Sequence, residues 1–310
     1  MDNLTHTLVG AALGEAGLKR RTALAMPTLL IGANLPDLDA AAYLWGGLAA
    51  LEWRRGWTHG VLAWLVLPLL LAGAMLGVAR IAERRGWRPE RPVRPRQLLL
   101  LSAIAVWSHP FFDWLNTYGV RLLMPFSRRW FYGDTLFIVD PWLLLVLGLG
   151  VALARRRAGK GSSAPSRPAR LALAAAAAYV ALNFAGTRLA REAAGAAAPD
   201  ARRLLGGPVV LNPLRRELLV DDGAAYRLGS YGLLPATAPA LDGPVIATGA
   251  DGPAARLARA TPEGSTFLRW ARYPYFRAEG DSLRIYDARY FGPRGGWASV
   301  AIPFGRGNRE

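Results

Sequence analysis

Four long apolar runs constrain this chain more than any other feature. "VLAWLVLPLLLAGAMLGVARI" (61–81) has the length of a membrane-spanning helix, roughly 20 residues. "LLLLSAIAVWSHPFFDWL" (98–115) is apolar until its end, "LFIVDPWLLLVLGLGVALA" (136–154) is a third candidate, and the Ala-rich "LALAAAAAYVALNFAGTRLA" (171–190) a fourth. A soluble protein of this length would have to bury all four in one core. A hydrophobic content of 52% and a positive mean hydropathy of +0.17 favour spans instead. Two shorter helices near 6–17 and 22–35 precede the runs. They are too short for full spans and fit tilted, re-entrant or packed positions.

The charge distribution then sets an orientation. The chain carries 38 basic and 22 acidic side chains, a formal net charge of +16. Such a balance suits nucleic acid or a membrane, and location decides between them. Three connections, Lys19–Arg21, Arg80–Arg96 and Arg155–Arg170, hold sixteen basic residues against Glu83 and Glu90. Cytoplasmic loops are enriched in Lys and Arg. With all three connections inside, 61–81 runs inward, 98–115 outward, 136–154 inward and 171–190 outward, and residues 191–310 fall on the extracytoplasmic side. No nucleic-acid partner is expected, and "RRRAGKGSSAPSRPAR" (155–170) reads as a polar linker. The start "MDNLTHTLVG" has no basic region of a cleavable signal peptide. The absence of cysteine excludes disulfides, thiolate metal sites and a catalytic thiol.

The three histidines, His6, His59 and His109, all fall near predicted helix ends that face outward in this topology. The same rim receives Asp37 and Asp39 of "NLPDLDA", Asp113 of "HPFFDWLNTYG", and Asp134 and Asp140. The topology rests on basic loops alone, yet it gathers these ionisable groups at one depth. Groups of this kind are costly in membrane segments and face a bundle interior or a wet cavity. Histidine and carboxylate donors suit Zn²⁺, Mn²⁺ or Fe. His109 and Asp113 are four apart, so on a helix their Cβ atoms lie about 5–6 Å apart on one face. Pro110 fits a helix that starts near His109. Asp37 and Asp39 follow Pro36 in a turn where both carboxylates can converge, a costly pairing that a cation relieves. Read singly, each motif has a plainer account: an interfacial aromatic belt for the histidines, a solvated turn for "PDLD". Asp134 and Asp140 read best as helix caps.

The ordered set "LTHTLVG", "NLPDLD", "RGWTHG", "SHPFFDWLNTYG", "LMPFS" and "YGD" resembles the YdjM/YbcI-like family of membrane-bound metal-dependent hydrolases. The resemblance covers roughly residues 1–150 and extends loosely through 310. It implies a multi-pass inner-membrane protein with hydrolase activity that needs a divalent metal. Carried over by motif position, it implies His6, Asp37, Asp39, His59, His109 and Asp113 as metal ligands. Six ligands exceed the needs of one structural zinc, so two or more ions of Zn or Mn are compatible with the set. Such a centre acts through metal-activated water, typically at phosphorus, with Asp39 or Asp113 free to serve as general base. Asn34, Thr58, Asn116 and Tyr118 are candidates to orient ligands through hydrogen bonds. Arg121, Arg128 and Arg129 are candidates to grip an anionic head group. A site at the lipid–water boundary favours a phosphoester of a lipid or lipid-linked substrate.

Beyond residue 190, the stretches 207–234, 265–278, 281–290 and 296–305 mix β-branched and aromatic residues with Gly, Pro and Asp punctuation, as short strands do. "PEGSTFLRWARY" fits a helix equally well. "LRWARYPYF" reads as core or sheet surface, with a lid over the site as its functional alternative. The expected architecture is a polytopic α-helical membrane domain (1–190) carrying the metal site, followed by a small β-rich (α+β) extracytoplasmic domain (191–310). A metal or proton transporter is the rival reading, because transporters also carry His and Asp within spans. They usually place them near the midplane, often within repeats; here the cluster lies at one rim and the chain has no internal repeat. A protein with one closed structural metal is the third reading, and it needs fewer ligands.

Overall fold

A computed structural model describes residues 1–292 and 295–304. The chain divides into two compact units, the first made of residues 1–41 and 53–184, the second of 42–52 and 185–310.

The first unit is helical. Helix α1 (Asn3–Glu15) starts where Asp2 accepts a hydrogen bond from the Thr5 amide at 3.1 Å, which satisfies one of the open N–H groups of the first turn. Helix α2 (Ala25–Asn34) runs directly into a 3₁₀ segment, Leu35–Trp45, that carries "PDLD". After a short helix α3 (Gly47–Trp53) come α4 (Val61–Arg84), α5 (Pro95–Trp114) and α6 (Pro141–Gly159). Asp140 caps α6, accepting from the amides of Trp142 and Leu143, with Pro141 at the first helical position, where its missing N–H costs nothing. The expected cap role of Asp140 is therefore met. Helix α7 (Arg167–Ala197) passes from the first unit into the second.

Helix α2 packs on both α1 and α5, and α5 also packs on α4. Small residues make these approaches possible. A Cβ on Gly10 would sit 2.7 Å from the Leu29 carbonyl oxygen, and one on Gly32 would sit 2.7 Å from the Ala105 Cβ. Small residues at helix interfaces let backbones close in, a common device where lipid replaces water. The consequence here is local: α1, α2 and α5 lie close enough for side chains at their ends to meet.

Among the described residues, two helices, α4 and α7, are long and apolar enough to cross a membrane by length and composition. The runs at 98–115 and 136–154 are helices α5 and α6, but neither meets that measure. Helix α5 contains Gln97, His109, Pro110 and Asp113, and α6 ends in Arg155–Arg157. Nor does a helix begin near His109. Pro110 lies inside the last part of α5, leaving the Val106 carbonyl without its helical donor.

Among the described residues, the second unit contains two antiparallel sheets. Strands β1 (Arg203–Val209), β2 (Asn212–Asp221), β3 (Ala225–Gly232) and β4 (Val245–Ala247) form one in sequential order. Strands β5 (Pro274–Glu279), β6 (Ser282–Asp287) and β7 (Ser299–Pro303) form the other. Between the sheets in sequence lie helices α8 (Pro253–Ala260) and α9 (Pro262–Trp270). "PEGSTFLRW" is thus helix, with Thr261 capping its start and Phe267 and Trp270 buried three apart. The aromatic run "LRWARYPYF" supplies core: Trp270, Tyr273, Tyr275 and Phe276 are all buried. Of the expected strand at 296–305, residue 305 lies outside the described residues.

Candidate metal centre

Four side chains converge where α5, the 3₁₀ segment and the 54–60 turn meet. One ligand atom from each of Asp37, His59, His109 and Asp113 lies within 4.8 Å of all the others, and all four residues are buried. His109 and Asp113 sit one turn apart on α5, and the His109 Nε2 is 3.6 Å from Asp113 Oδ2 and 3.6 Å from Asp37 Oδ1. His59 Nε2 approaches Asp113 Oδ2 to 3.3 Å. His6, from α1, stacks on the His109 ring at 3.7 Å and brings its Nε2 to 3.4 Å from Asp113 Oδ1.

The far sides of the rings explain what the near sides are for. His109 Nδ1 lies 2.7 Å from the Ala33 carbonyl oxygen. A carbonyl only accepts, so Nδ1 carries a proton, and a neutral ring held this way presents the lone pair of Nε2 inward. His59 Nδ1 faces Asp39 Oδ2 at 3.2 Å and Thr58 Oγ1 at 3.0 Å, which fixes that ring in the same sense. The inward atoms are left without hydrogen-bond partners: His6 Nε2, His59 Nε2, His109 Nε2 and Asp113 Oδ2 are all buried and unsatisfied. An unsatisfied buried polar atom costs about 1–3 kcal/mol, and native proteins rarely keep several together without a reason. Lone pairs facing lone pairs across this gap fit a bound cation. Nitrogen and carboxylate donors without sulfur suit Zn²⁺ or Mn²⁺, so the donor chemistry of these residues fits a divalent metal ion.

Two arginines complete the electrostatics. Arg55 Nε lies 3.1 Å from Asp113 Oδ2, and Arg54 Nη2 lies 3.3 Å from Asp37 Oδ1. The Met1 nitrogen also contacts Asp113 Oδ1. Burial, reinforced by His109, pushes His6 down to about 3, so its ring is neutral near pH 7. Burial opposes charge on His59, but its contacts with Asp113 and Asp39 outweigh it and raise its pKa, so protons and a cation compete for Nε2.

Residues 1–190 match the model of the YdjM inner membrane protein family. The chain belongs to this family. Membership and the two apolar helices together indicate a membrane location. A relative from Bacillus subtilis (strain 168), described as uncharacterized protein YfhP, is 25% identical over 153 residues, 47% of this chain and 43% of that protein. The chain thus spans less than half the length of this relative. No solved structure matches.

In this YdjM-family chain, the six residues singled out as ligands all reach one place, but not in one role. Asp39 stands behind His59: its Oδ2 accepts from the Arg55 amide at 2.7 Å and from Thr58 Oγ1 at 2.8 Å. Asp113 sits at the centre, in contact with all three histidines and Arg55. Thr58, Asn116 and Tyr118 join the network. Asn116 Oδ1 accepts from Arg55 Nη1 at 3.2 Å, and the Arg55 guanidinium lies 4.6 Å from the Tyr118 ring centre. Asn34 instead ties α2 to α1 through Thr7. Arg121 donates to the Arg54 carbonyl at 2.8 Å and packs under Gly56, so it anchors the turn that carries Arg54, Arg55 and His59. Arg128 and Arg129 are exposed, and Arg129 lies over Phe131. The arginines that do enter the centre, Arg54 and Arg55, have a sequence signal of their own. "WRRGWTH" puts two adjacent arginines within a few residues of a candidate ligand.

Proposed function

We propose that this chain is a membrane-embedded metal-dependent hydrolase that cleaves a phosphoester of a lipid or lipid-linked substrate at the extracytoplasmic face. The observation that carries the reading is the set of buried, unsatisfied imidazole nitrogens and the Asp113 oxygen turned toward one point. His6, Asp37, His59, His109 and Asp113 hold the ion, Zn²⁺ or Mn²⁺. A divalent ion in this position supplies Lewis acidity that activates water and stabilises charge on a phosphoryl oxygen. Asp39 and Thr58 hold His59 in the tautomer that offers Nε2. Arg54 and Arg55 favour an anionic group, and their forked donors suit phosphate oxygens.

A multi-pass arrangement is supported by the outward faces of the helices. Leu99, Leu100, Trp107 and Phe111 on α5, and Leu145, Leu149 and Leu153 on α6, are exposed, as a lipid-facing surface requires. On the orientation set by the basic loops, residues 1–190 form the membrane domain and 191–310 lie outside the cell membrane. An apolar cleft of about 370 Å³, lined by Trp64, Trp107, Pro110, Phe111, Trp114 and Leu122, opens between the ends of α4 and α5 that carry the centre. The Trp64 indole donates to the His59 carbonyl at 2.8 Å, linking a cleft wall to a ligand residue. A hydrocarbon chain in this cleft would present its head group beside the ion.

The test is elemental analysis of the detergent-purified protein beside a His109→Ala/Asp113→Ala variant, followed by phosphate release from phosphatidic acid and isoprenoid phosphates. Metal present in the parent, lost in a folded variant, with metal-dependent release from a lipid phosphate, supports the reading. Absence of metal after reconstitution with Zn²⁺ and Mn²⁺ overturns it. Metal without release from any lipid phosphate overturns the substrate class.

A further inference from the structure

The charges around the centre limit how many ions it can take. Three carboxylates, Asp37, Asp39 and Asp113, are in ion-pair contact with ligands or arginines of the cluster, and two guanidinium groups, Arg54 and Arg55, answer them. With neutral histidines, as metal ligation requires, the cluster has a net charge of minus one. One divalent cation turns that into plus one, which a hydroxide or one oxygen of an anionic substrate balances. A second divalent cation would leave plus three in a buried site, where isolated charge is heavily penalised. Any charge on the Met1 nitrogen only enlarges that surplus.

Donor supply agrees. One atom each of Asp37, His59, His109 and Asp113 forms the mutually close donor group, and His6 Nε2, 3.4 Å from Asp113 Oδ1, adjoins it, a donor set that suits one ion. Asp39 is held apart from this group: its Oδ2 is engaged by the Arg55 amide, Thr58 and His59, and its Oδ1, buried without a hydrogen-bond partner, lies 3.8 Å from Arg54 Nε. Arg55 is itself immobilised. Its Nη1 donates to Asn116 Oδ1 and to the Gly119 carbonyl, each at 3.2 Å, it lies over Tyr118, and its own backbone is held at φ 52°. A positive φ is unusual for a residue with a side chain and persists only where the surroundings enforce it. That anchoring leaves Nε 3.1 Å from Asp113 Oδ2, the same oxygen that His59 Nε2 and His109 Nε2 approach.

We infer that the centre holds a single divalent cation and that Arg55 is fixed where a second ion would stand, as the permanent second positive charge of the site. The inference rests on the metal reading above and narrows it from two or more ions to one. Arg55 acts as a positioning residue through Asp113, and it keeps a cation beside the phosphoryl oxygens without a second metal.

The experiment titrates the detergent-purified full chain with Mn²⁺ and counts bound ions, with the electron paramagnetic resonance spectrum recorded at saturation. One equivalent per chain and a spectrum of isolated Mn²⁺ are expected. Arg55→Gln removes the competing charge and should either tighten Mn²⁺ binding by roughly tenfold or more, or admit a second equivalent. Arg55→Lys should stay near the parent. Two equivalents with an exchange-coupled spectrum in the parent overturn the inference while leaving the metal reading intact. No bound ion in the parent overturns both. Unchanged affinity and stoichiometry in a folded Arg55→Gln variant overturn the role given to Arg55. If Arg55→Gln does not fold, the parent's count and spectrum still decide the number of ions.

Discussion

Asp39→Asn is the substitution that best separates a ligand-orienting carboxylate from a ligand. The change keeps shape and volume but removes the charge and half of the acceptor capacity. In the parent, Asp39 Oδ2 accepts from the Arg55 amide at 2.7 Å and from Thr58 Oγ1 at 2.8 Å, and it faces His59 Nδ1 at 3.2 Å. An asparagine oxygen can still serve the Arg55 amide and Thr58, but it no longer draws the His59 proton to Nδ1 with a full negative charge. The ring is then freer to place its proton on Nε2 and lose its lone pair to the centre. Loss of such a partner typically weakens metal binding by about 10- to 100-fold, or about 1.4–2.8 kcal/mol at 1.4 kcal/mol per decade. The assay is Zn²⁺ competition against a chromophoric chelator in detergent, with the melting temperature of the apoprotein recorded alongside. Were Asp39 a ligand instead, the loss should be deeper and should persist when His59 is absent. As an orienting group, Asp39→Asn should add little in a His59→Ala background, because contacting residues couple. Additive losses in that double-variant cycle, or a Kd within about twofold of the parent for Asp39→Asn alone, would refute the assignment.

The packing and orientation make further expectations. Gly10→Ala places a Cβ 2.7 Å from the Leu29 carbonyl oxygen, so α1 must move off α2; a loss of about 1–3 kcal/mol is expected, read as a lower melting temperature together with weaker metal retention as His6 shifts from His109. Because the chain has no native cysteine, single cysteines report sidedness without background. Ser163→Cys in the basic linker should resist a membrane-impermeant maleimide in intact cells, and Asp251→Cys in the second unit should react; the reverse pattern would invert the proposed topology. Thr58→Val removes one of the two groups facing His59 Nδ1 and should weaken Zn²⁺ binding less than Asp39→Asn does, by about 1 kcal/mol.

How much of this was visible in the sequence depends on whether a period or a cap announces the geometry. The pairing of His109 with Asp113 follows from helical spacing, and α5 delivers it. Asp140 followed by Pro141 announces the start of α6 through the chemistry of open N–H groups. The β-branched and aromatic residues and turn signals of 207–234 likewise announce β2 and β3, though most of β1 lies before that stretch. In contrast, Asp37 and Asp39 look equivalent in "PDLD", yet one lines the centre and the other stands behind His59. That division comes from the turning of a 3₁₀ segment against the 54–60 turn, and no short-range pattern encodes it. The arginines that reach the centre were hidden in the sequence for a related reason. Arg121, Arg128 and Arg129 are near the ligands in sequence, but Arg121 is used on the Arg54 carbonyl and the other two are exposed. Arg54 and Arg55 enter the centre because the chain reverses at Arg55, whose φ of 52° a residue other than glycine seldom adopts. A left-handed arginine cannot be read from composition, and its effect is large: it turns a guanidinium toward Asp113 while its own amide binds Asp39. One residue therefore touches both the central carboxylate and the carboxylate that orients His59. Substitutions at Arg55 and Asp39 should for that reason couple in metal affinity, whereas Asp39 and the distant Asn34 should not.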